Sequence, residues 1–247
     1  APSIEVFAFG AGTIGGTMID QIYQQHDKLL QQSIDVKVLA ITTIDGMNLS
    51  EDGLDLSNWR DDMKKPMYKF GPENVDDIIK FVKEKKPLNP VFVDCTASYD
   101  LSDRYLDILN AGMSIATPNK RANSKNIEFY HELRRTANKM HRRFLYETNV
   151  GAGLPIIDTL QNLYKSGDKL VSFNGIMSGS LSYIFGKLDE GVPFSKAVLE
   201  AKSLRYTEPD PRDDLNGMDV ARKALIIARE SGFDIELDDI TMYKVFP

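Results

Sequence analysis

The side chains best suited to chemistry lie in one acid-rich stretch that is followed by a lysine. Glu208 to Asp214 holds four acids within seven residues, and these repel one another unless they bind cations, basic side chains or an ammonium group. A helix predicted to begin near Asn216 places Asp219 and Lys223, four residues apart, on one face. A lysine held there could give a proton to an oxygen on which negative charge develops.

The same Asp219–Lys223 spacing also fits a solvent-exposed ion pair, which stabilises a helix by only about a few tenths of a kcal/mol. Ile226 follows Lys223 by three residues on the same face, so this face is not purely polar. The residues alone therefore leave open a substrate site and a surface ion pair.

A second group of residues predicts a dinucleotide site near the start of the chain. The run from Gly10 to Gly15 has the spacing G-x-G-x-x-G, directly after one predicted strand and at the start of a predicted helix. Gly10 would allow the tight turn, Gly12 would let the backbone approach a pyrophosphate, and Gly15 would let helix and strand pack closely. Thr13 and Ile14 open the helix, whose free N–H groups favour phosphate. A glycine-rich turn with a purely structural role is the alternative.

Polar residues at the carboxyl ends of later strands extend this predicted site, because ligands of open α/β sheets bind there. Thr42 ends the second strand, where the absence of a basic residue leans towards NAD, although threonine can accommodate NAD or NADP. Lys120 follows a later strand and would point towards the cofactor, or else into solvent. A small polar turn could line the nicotinamide ribose, or serve only as a turn and helix cap; it consists of Thr96, Ala97 and Ser98.

Short apolar runs that alternate with helical segments predict the elements that position these residues. The predicted fold is α/β, a Rossmann-type doubly wound parallel sheet over residues 1–150, followed by an incomplete α+β substrate domain over 151–247. Segment 46–70 is predicted to be a long connection that Trp59 pins to the domain. The predicted strands of the first domain are Ile4–Phe9, Val36–Ile41, Val91–Asp94, Ser114–Ala116 and Phe144–Tyr146, and its predicted helices are Ile14–Gln31, Val75–Lys85, Asp100–Asn110 and Ser124–Lys139.

The pattern changes after about residue 150, where helices predominate. One strand, Leu170–Met177, is predicted to enter a Ser-Gly-Ser turn. The helices predicted around it are Pro155–Tyr164, Leu181–Leu188, Phe194–Leu204 and Asn216–Ser231.

Composition narrows the class of protein further. A net charge of -6 disfavours nucleic acid as a partner, and no run of residues is long and apolar enough to predict a membrane partner. The single cysteine, Cys95, excludes an internal disulfide and is typical of a reducing cytoplasm, which we take as the expected location. The chain begins at Ala1 with a strand starting almost at once, so we expect it to be part of a longer protein.

Several segments together resemble the homoserine dehydrogenases. They are Thr117–Lys120, Tyr146–Pro155, Gly175–Phe185, Tyr206–Asp214 and Asp219–Lys223. Gly151–Pro155, within the second of these segments, and Gly186–Gly191, directly after the third, are most similar to the form of the family that is fused to aspartokinase. This resemblance extends along essentially the full 247 residues.

The resemblance implies NAD(P)-dependent interconversion of L-homoserine and L-aspartate 4-semialdehyde, and it implies roles for individual residues. Lys223 would exchange the proton at the substrate oxygen, and Asp219 would orient it or bind substrate. Lys120 would contact the nicotinamide and share in proton transfer. Further substrate contacts are implied at Glu208, Asp214 and Gly175.

The resemblance also implies a bound monovalent cation, sodium, and larger assemblies. The cation would be held by Glu147 and by backbone oxygens of Val150, Ala152 and Leu154. A dimer and a fused aspartokinase are the implied partners of the chain, besides its small-molecule substrate. Family members continue beyond the position of Pro247, so the alternatives are a cofactor-binding fragment without turnover and a related oxidoreductase acting on another amino-acid aldehyde.

Overall fold

The computed structural model describes residues 2–208 and 210–243. The chain divides into two compact units. Unit 1 comprises Ala1–Ala122 and Glu128–Tyr146, and unit 2 comprises Asn123–Ile127 and Glu147–Pro247. The sequence places one boundary near residue 150 and does not predict that the short segment 123–127 groups with unit 2.

Unit 1 is built on a six-stranded sheet with the strand order β3-β2-β1-β4-β5-β6. All neighbouring strands are parallel except β3, which runs antiparallel to β2. The strands are β1 (Ser3–Phe9), β2 (Asp35–Thr43), β3 (Gly46–Leu49), β4 (Pro90–Asp94), β5 (Ser114–Ala116) and β6 (Phe144–Leu145). The predicted Rossmann-type α/β fold class is confirmed.

The apolar run of β1 explains why the sheet is covered on both faces. Val6 and Ala8 pack into one apolar cluster, while Phe7 and Phe9 pack into the other, because successive side chains of a strand point to opposite faces. The other strands and six helices complete both clusters. The helices are α1 (Thr13–Gln31), α2 (Trp59–Asp62), α3 (Glu73–Lys85), α4 (Tyr99–Asp103), α5 (Tyr105–Asn110) and α6 (Ile127–Lys139), the last with most of its residues in unit 1.

Two local predictions in unit 1 need correction. The single helix predicted over Asp100–Asn110 is two short helices that meet at Arg104. Segment 46–70 is not only a connection, because it contains the edge strand β3, which pairs with β2, and the short helix α2. The predicted anchor role of Trp59 is confirmed: its side chain is buried, and its indole N–H donates a 2.9 Å hydrogen bond to Asp20.

The described part of unit 2 consists of helices and turns. Its helices are α7 (Ile156–Lys165), α8 (Gly179–Asp189), α9 (Phe194–Ser203), α10 (Pro211–Leu215) and α11 (Met218–Glu230). The strand predicted over Leu170–Met177 is wrong for the described residues: it pairs with no other segment there, and Val171 and Ile176 are 96% and 87% exposed. An apolar, β-branched run still needs a second strand to satisfy its backbone hydrogen bonds.

Arg229 of α11 holds segment 123–127 within unit 2. Its fully buried guanidinium donates to the carbonyls of Asn123 and Lys125 at 2.9 and 2.6 Å, and it pairs with Glu236 at 3.0 Å. Glu236 in turn accepts a hydrogen bond from the backbone N–H of Ile127. Five donors in a fixed fork suit arginine to joining separate backbone segments in this way. Within the described ranges, no helix combines the length and apolar character needed to cross a membrane.

Candidate functional site

The predicted dinucleotide loop joins β1 to α1 and depends on two glycines that tolerate no side chain. Gly10 has a φ of +84°, and a Cβ atom there would lie 2.9 Å from the backbone of Cys95. A Cβ atom on Gly15 would lie 1.9 Å from the carbonyl oxygen of Gly10, well inside van der Waals contact. Both positions therefore require glycine for the turn itself.

Gly12 differs from these two because nothing lies within 4 Å of the position that a Cβ atom would occupy. It caps the N-terminus of α1 without a side-chain hydrogen bond, and the first turn of α1 contains no acidic residue. Gly12, Thr13 and Ile14 are exposed. The loop thus offers a bare helix N-terminus, with its positive end of the dipole, to an approaching phosphate group. This open cradle fits a dinucleotide pyrophosphate.

The turn after β4 uses its hydroxyl groups for local structure. Thr96 donates from its backbone N–H and its hydroxyl to one oxygen of Asp94, at 2.8 and 2.7 Å. The Ser98 hydroxyl accepts from Leu101 N and caps α4. Only Ala97 of this turn is fully exposed. These contacts match the turn-and-cap alternative for the two hydroxyls, and they leave Ala97 as the exposed residue of the turn.

Thr42 and Lys120 occupy different surroundings. Thr42 is 1% exposed, its carbonyl accepts from Gly10 N at 2.8 Å, and its hydroxyl has no hydrogen-bond partner in the described part of the chain. It therefore supports the glycine loop from behind. Lys120 is half-buried in the segment that follows β5.

In unit 2 the structure brings Lys223 and Asp219 into direct contact. Lys223 Nζ lies 2.8 Å from Asp219 Oδ2, and the two side chains are only 17% and 6% exposed. Lys223 also donates to the carbonyl oxygen of Met177 at 2.8 Å. A surface ion pair would be far more exposed, so the structure excludes that alternative. The ammonium group is held by two acceptors and has a third proton for another partner.

Lys223 and Asp219 line an open cleft of about 850 Å³. Its wall is strongly polar, with two carboxylates, Glu208 and Asp214, besides Asp219. The full lining is Ser178, Gly179, Ser180, Tyr183, Arg205, Tyr206, Glu208, Asp214, Asp219 and Lys223. Such a cleft suits a small substrate that carries an ammonium group, with an oxygen near Lys223.

Both carboxylate oxygens of Asp214 accept hydrogen bonds from the protein itself. One carboxylate oxygen accepts from the Ser180 hydroxyl at 2.6 Å and the other from Glu208 N at 2.8 Å. Burial raises the pKa of Asp214, while these two hydrogen bonds act in the opposite direction. Asp214 therefore ties the segment that carries Glu208 to the start of α8.

Three of the predicted substrate residues, Glu208, Asp214 and Asp219, meet in this cleft, whereas Gly175 does not line it and is exposed. Sequence reasoning did not single out Ser180, Tyr183 or Tyr206. Tyr183 donates to Glu200 at 2.6 Å, and its ring meets that of Tyr206 edge-on at 5.1 Å. The polar residues of the Ser-Gly-Ser turn were the available signal.

The predicted cation segment forms a tight turn between β6 and α7. Gly151 and Ala152 both have positive φ, at +84° and +50°. The two oxygens of Glu147 accept from the backbone N–H groups of Ile157 and Asp158 at 3.2 and 2.8 Å, at the start of α7. A carboxylate has further lone pairs, so Glu147 could also offer an oxygen to a cation, which is the kind of hard donor that such ions prefer.

Comparison with known proteins agrees with this division of roles. Residues 10–147 match the family model described as homoserine dehydrogenase, NAD binding domain, and residues 155–245 match the one described as homoserine dehydrogenase.

The chain is also similar to individual proteins. It is 45% identical over 244 residues to a bifunctional aspartokinase/homoserine dehydrogenase of Haemophilus influenzae, covering 99% of this chain and 30% of that protein. The chain thus spans about 30% of the length of the first curated relatives it matches.

Two solved structures extend the likeness to three dimensions. A Candida auris protein of unknown function is 34% identical with a TM-score of 0.83, covering 100% of this chain and 68% of that one. A hyperthermophilic archaeal homoserine dehydrogenase in complex with NADPH is 26% identical with a TM-score of 0.71, covering 93% and 70%. One of these family models matches more than half of the chain, and the other matches most of the remainder. The chain therefore belongs to the homoserine dehydrogenase family.

Proposed function

We propose that this chain interconverts L-homoserine and L-aspartate 4-semialdehyde with NAD(P). The observation that carries the proposal is the Lys223–Asp219 pair, held at 2.8 Å in a cleft that also presents Glu208. The relatives named bifunctional aspartokinase/homoserine dehydrogenase and the archaeal enzyme crystallised with NADPH support the same activity and cofactor class.

The chain's own groups supply binding and proton transfer. Glu208 would hold the substrate ammonium group, and Lys223 would face the substrate oxygen. When bound, the nicotinamide cofactor supplies the hydride that reduces the aldehyde carbon. Lys223 then gives its proton to the oxygen, on which negative charge develops, and takes one back in the oxidation of homoserine. Asp219 holds the Lys223 amine in position throughout.

Unit 1 supplies the cofactor site in this proposal. The exposed backbone at Gly12, Thr13 and Ile14 would receive the pyrophosphate at the N-terminus of α1. The turn at Thr96, Ala97 and Ser98 would contact the nicotinamide end through its backbone, and Lys120 would do so through its ammonium group. Since Thr42 is buried behind the glycine loop, the choice between NAD and NADP would depend on other residues.

A monovalent cation, sodium, would stabilise the turn that precedes α7. Glu147 would hold it together with the carbonyl oxygens of Val150, Ala152 and Leu154. Support comes from the hard oxygen donors and from the two positive-φ residues that make the turn tight. We expect replacement of sodium by choline to lower the melting temperature, and Glu147→Gln to remove that dependence.

We also propose that the protein is a dimer and that its full-length form is fused to an aspartokinase, as the bifunctional relatives are. A molar mass measured by light scattering that corresponds to a monomer would contradict the proposed dimer.

The first test is homoserine-dependent reduction of NAD and NADP by the purified chain, beside a longer version extended to the length of the relatives. Turnover in both supports the proposal and assigns the chemistry to these residues. Turnover only in the longer version would support the proposed reaction for the longer protein and make this chain a cofactor-binding fragment without turnover. Turnover in neither, with cofactor still bound, overturns the substrate assignment, and a panel of other amino-acid aldehydes would follow.

A further inference from the structure

A buried hydrogen-bond network joins the two loops that follow β4 and β5 in unit 1. Its centre is Asp94, which is 0% exposed at the end of β4. Tyr105 of α5, also 0% exposed, donates from its hydroxyl to Asp94 Oδ2 at 2.5 Å. Asn119 donates from its amide to the same oxygen at 3.1 Å. An apolar interior holds such a group only when its polar atoms are paired, and a fully paired network of this kind makes its surroundings rigid.

The donors around Asp94 favour its ionised form. One oxygen receives the backbone N–H and the hydroxyl of Thr96, and the other receives Tyr105 and Asn119, so that four donors surround the carboxylate. Burial is the larger effect and raises the pKa of Asp94 above its usual value, while these hydrogen bonds act in the opposite direction. The Tyr105 hydroxyl has one proton, which it donates to Asp94. The 3.1 Å contact between the hydroxyl oxygens of Tyr105 and Thr117 is therefore a weaker dipolar contact.

The same residues fix both loops to each other. The Thr117 hydroxyl donates to the Asp94 carbonyl at 2.7 Å and accepts from Asn119 N at 2.9 Å. Asn119 also donates to the Ser98 carbonyl at 2.9 Å. The turn at 96–98 and the segment 117–120 are thus held together by hydrogen bonds. Lys120 directly follows Asn119, which makes three of these bonds.

We infer that Asp94, Tyr105 and Thr117 are positioning residues that hold the 96–98 turn and Lys120 in the arrangement that receives the nicotinamide end of the cofactor. This inference rests on the proposed function, because it assigns both loops to the cofactor. None of the three needs to touch cofactor or substrate. Their effect passes through the backbone of the two loops, so it should alter cofactor affinity and turnover rather than homoserine binding.

The test compares variants that remove one hydroxyl each. Tyr105→Phe keeps the ring, and Thr117→Val keeps the shape of threonine while Thr117→Ser keeps its hydroxyl. The matched control is Tyr130→Phe, a tyrosine that is 4% exposed on α6 of the same unit, where the guanidinium of Arg134 lies over its ring. The measurements are the dissociation constants of NADPH and NADH by fluorescence, kcat, the KM for homoserine, and the melting temperature.

We expect Tyr105→Phe and Thr117→Val to weaken binding of the preferred cofactor about tenfold and to lower kcat by a similar factor, since each loses at least one buried hydrogen bond. Thr117→Ser and Tyr130→Phe should stay within about twofold of the parent, and the KM for homoserine should not change. Unchanged cofactor affinity in both variants, even with a lower melting temperature, would overturn the inference. Equal weakening in Tyr130→Phe would also overturn it.

The two proposals fail in different ways. If the parent protein binds NADPH or NADH but does not turn over homoserine, the proposed substrate is wrong, and the dissociation constants of the variants still decide the inference. If the parent protein binds neither cofactor, the inference is wrong as well.

Discussion

Lys223 Nζ and Asp219 Oδ2 lie 2.8 Å apart, one helical turn from each other on α11, with side chains 17% and 6% exposed. This pair differs from the exposed ion pair of the same kind between Lys80 and Glu84 on α3, whose side chains are 74% and 59% exposed. The contrast supplies a matched control for the chemistry that we assign to Lys223.

We expect Lys223→Ala to lower kcat by about 10²–10⁴-fold, because loss of a positioned proton donor has an effect of that size. The dissociation constant for NADPH should stay within about twofold, since the glycine loop is untouched. Lys80→Ala should leave kcat unchanged. Steady-state kinetics and fluorescence titration measure both quantities, and normal turnover in Lys223→Ala would end the assignment.

The glycine loop allows steric and binding effects to be separated. Gly15→Ala places a Cβ atom 1.9 Å from the Gly10 carbonyl, so it should lower the melting temperature by several degrees and abolish NADPH binding. Gly12→Ala meets nothing within 4 Å, but the ψ of −143° at this position lies outside the ranges that alanine prefers. It should lower the melting temperature less than Gly15→Ala does and still bind NADPH at least about tenfold more weakly, because the methyl group enters the phosphate cradle.

A control for both glycine variants is Gly186→Ala, an open position within α8. This change should not weaken NADPH binding. Calorimetry and titration provide the comparison. Tight NADPH binding by Gly12→Ala would show that the cofactor does not approach this part of the loop.

The Cys95 thiol should react slowly with alkylating reagents in the native protein. Burial raises its pKa from 9.0 to about 12. At pH 8.5 the fraction of Cys95 present as thiolate is therefore about a thousandfold lower in the native protein than in the unfolded chain. We expect iodoacetamide to react more than about a hundredfold faster with the urea-unfolded chain. Mass spectrometry follows the reaction at this single cysteine, and equal rates would contradict the burial.

The same shift of the Cys95 pKa has a consequence for stability. From pH 9 upwards the unfolded thiol loses its proton while the native thiol keeps it, so the native state binds more protons and stability falls as pH rises towards 12. Cys95→Ala should remove this component of the decline. Urea unfolding between pH 8 and pH 10 compares the two slopes.

Arg229→Met should destabilise unit 2 strongly. The substitution keeps much of the side-chain length but leaves the carbonyls of Asn123 and Lys125 without their donor, and breaking a buried charged contact costs about 3–5 kcal/mol. Arg212→Ala, at a side chain that is 86% exposed, should leave the free energy of unfolding nearly unchanged. Urea unfolding measures both, and a similar small loss in the two variants would contradict the structural role of Arg229.

The parts of the structure that the sequence predicts well depend on local rules. The glycine loop follows from the spacing of Gly10, Gly12 and Gly15 between a strand and a helix, and the Lys223–Asp219 contact follows from helical spacing. Burial of that pair was not predictable from spacing, because it depends on the walls of the cleft, which come from four separate helices and turns.

Two other features depend on contacts that a linear pattern does not contain. The run 170–177 has strand propensity, yet a strand needs a neighbour, and the described residues offer none. Asp94 and Thr117 are 23 positions apart and meet because β4 and β5 are parallel neighbours, with Val93 beside Ala116. Polar residues at the ends of adjacent strands indicate such a meeting, but not its hydrogen bonds.

The placement of segment 123–127 has a consequence for dissecting the protein. The chain passes from one unit to the other three times, after residues 122, 127 and 146. A gene cut once, at any codon, therefore cannot yield both units complete: a piece ending at residue 146 carries the partners of Arg229 away from it. Independent expression of unit 2 would require joining residues 123–127 back to it, so the two units are best engineered as one piece.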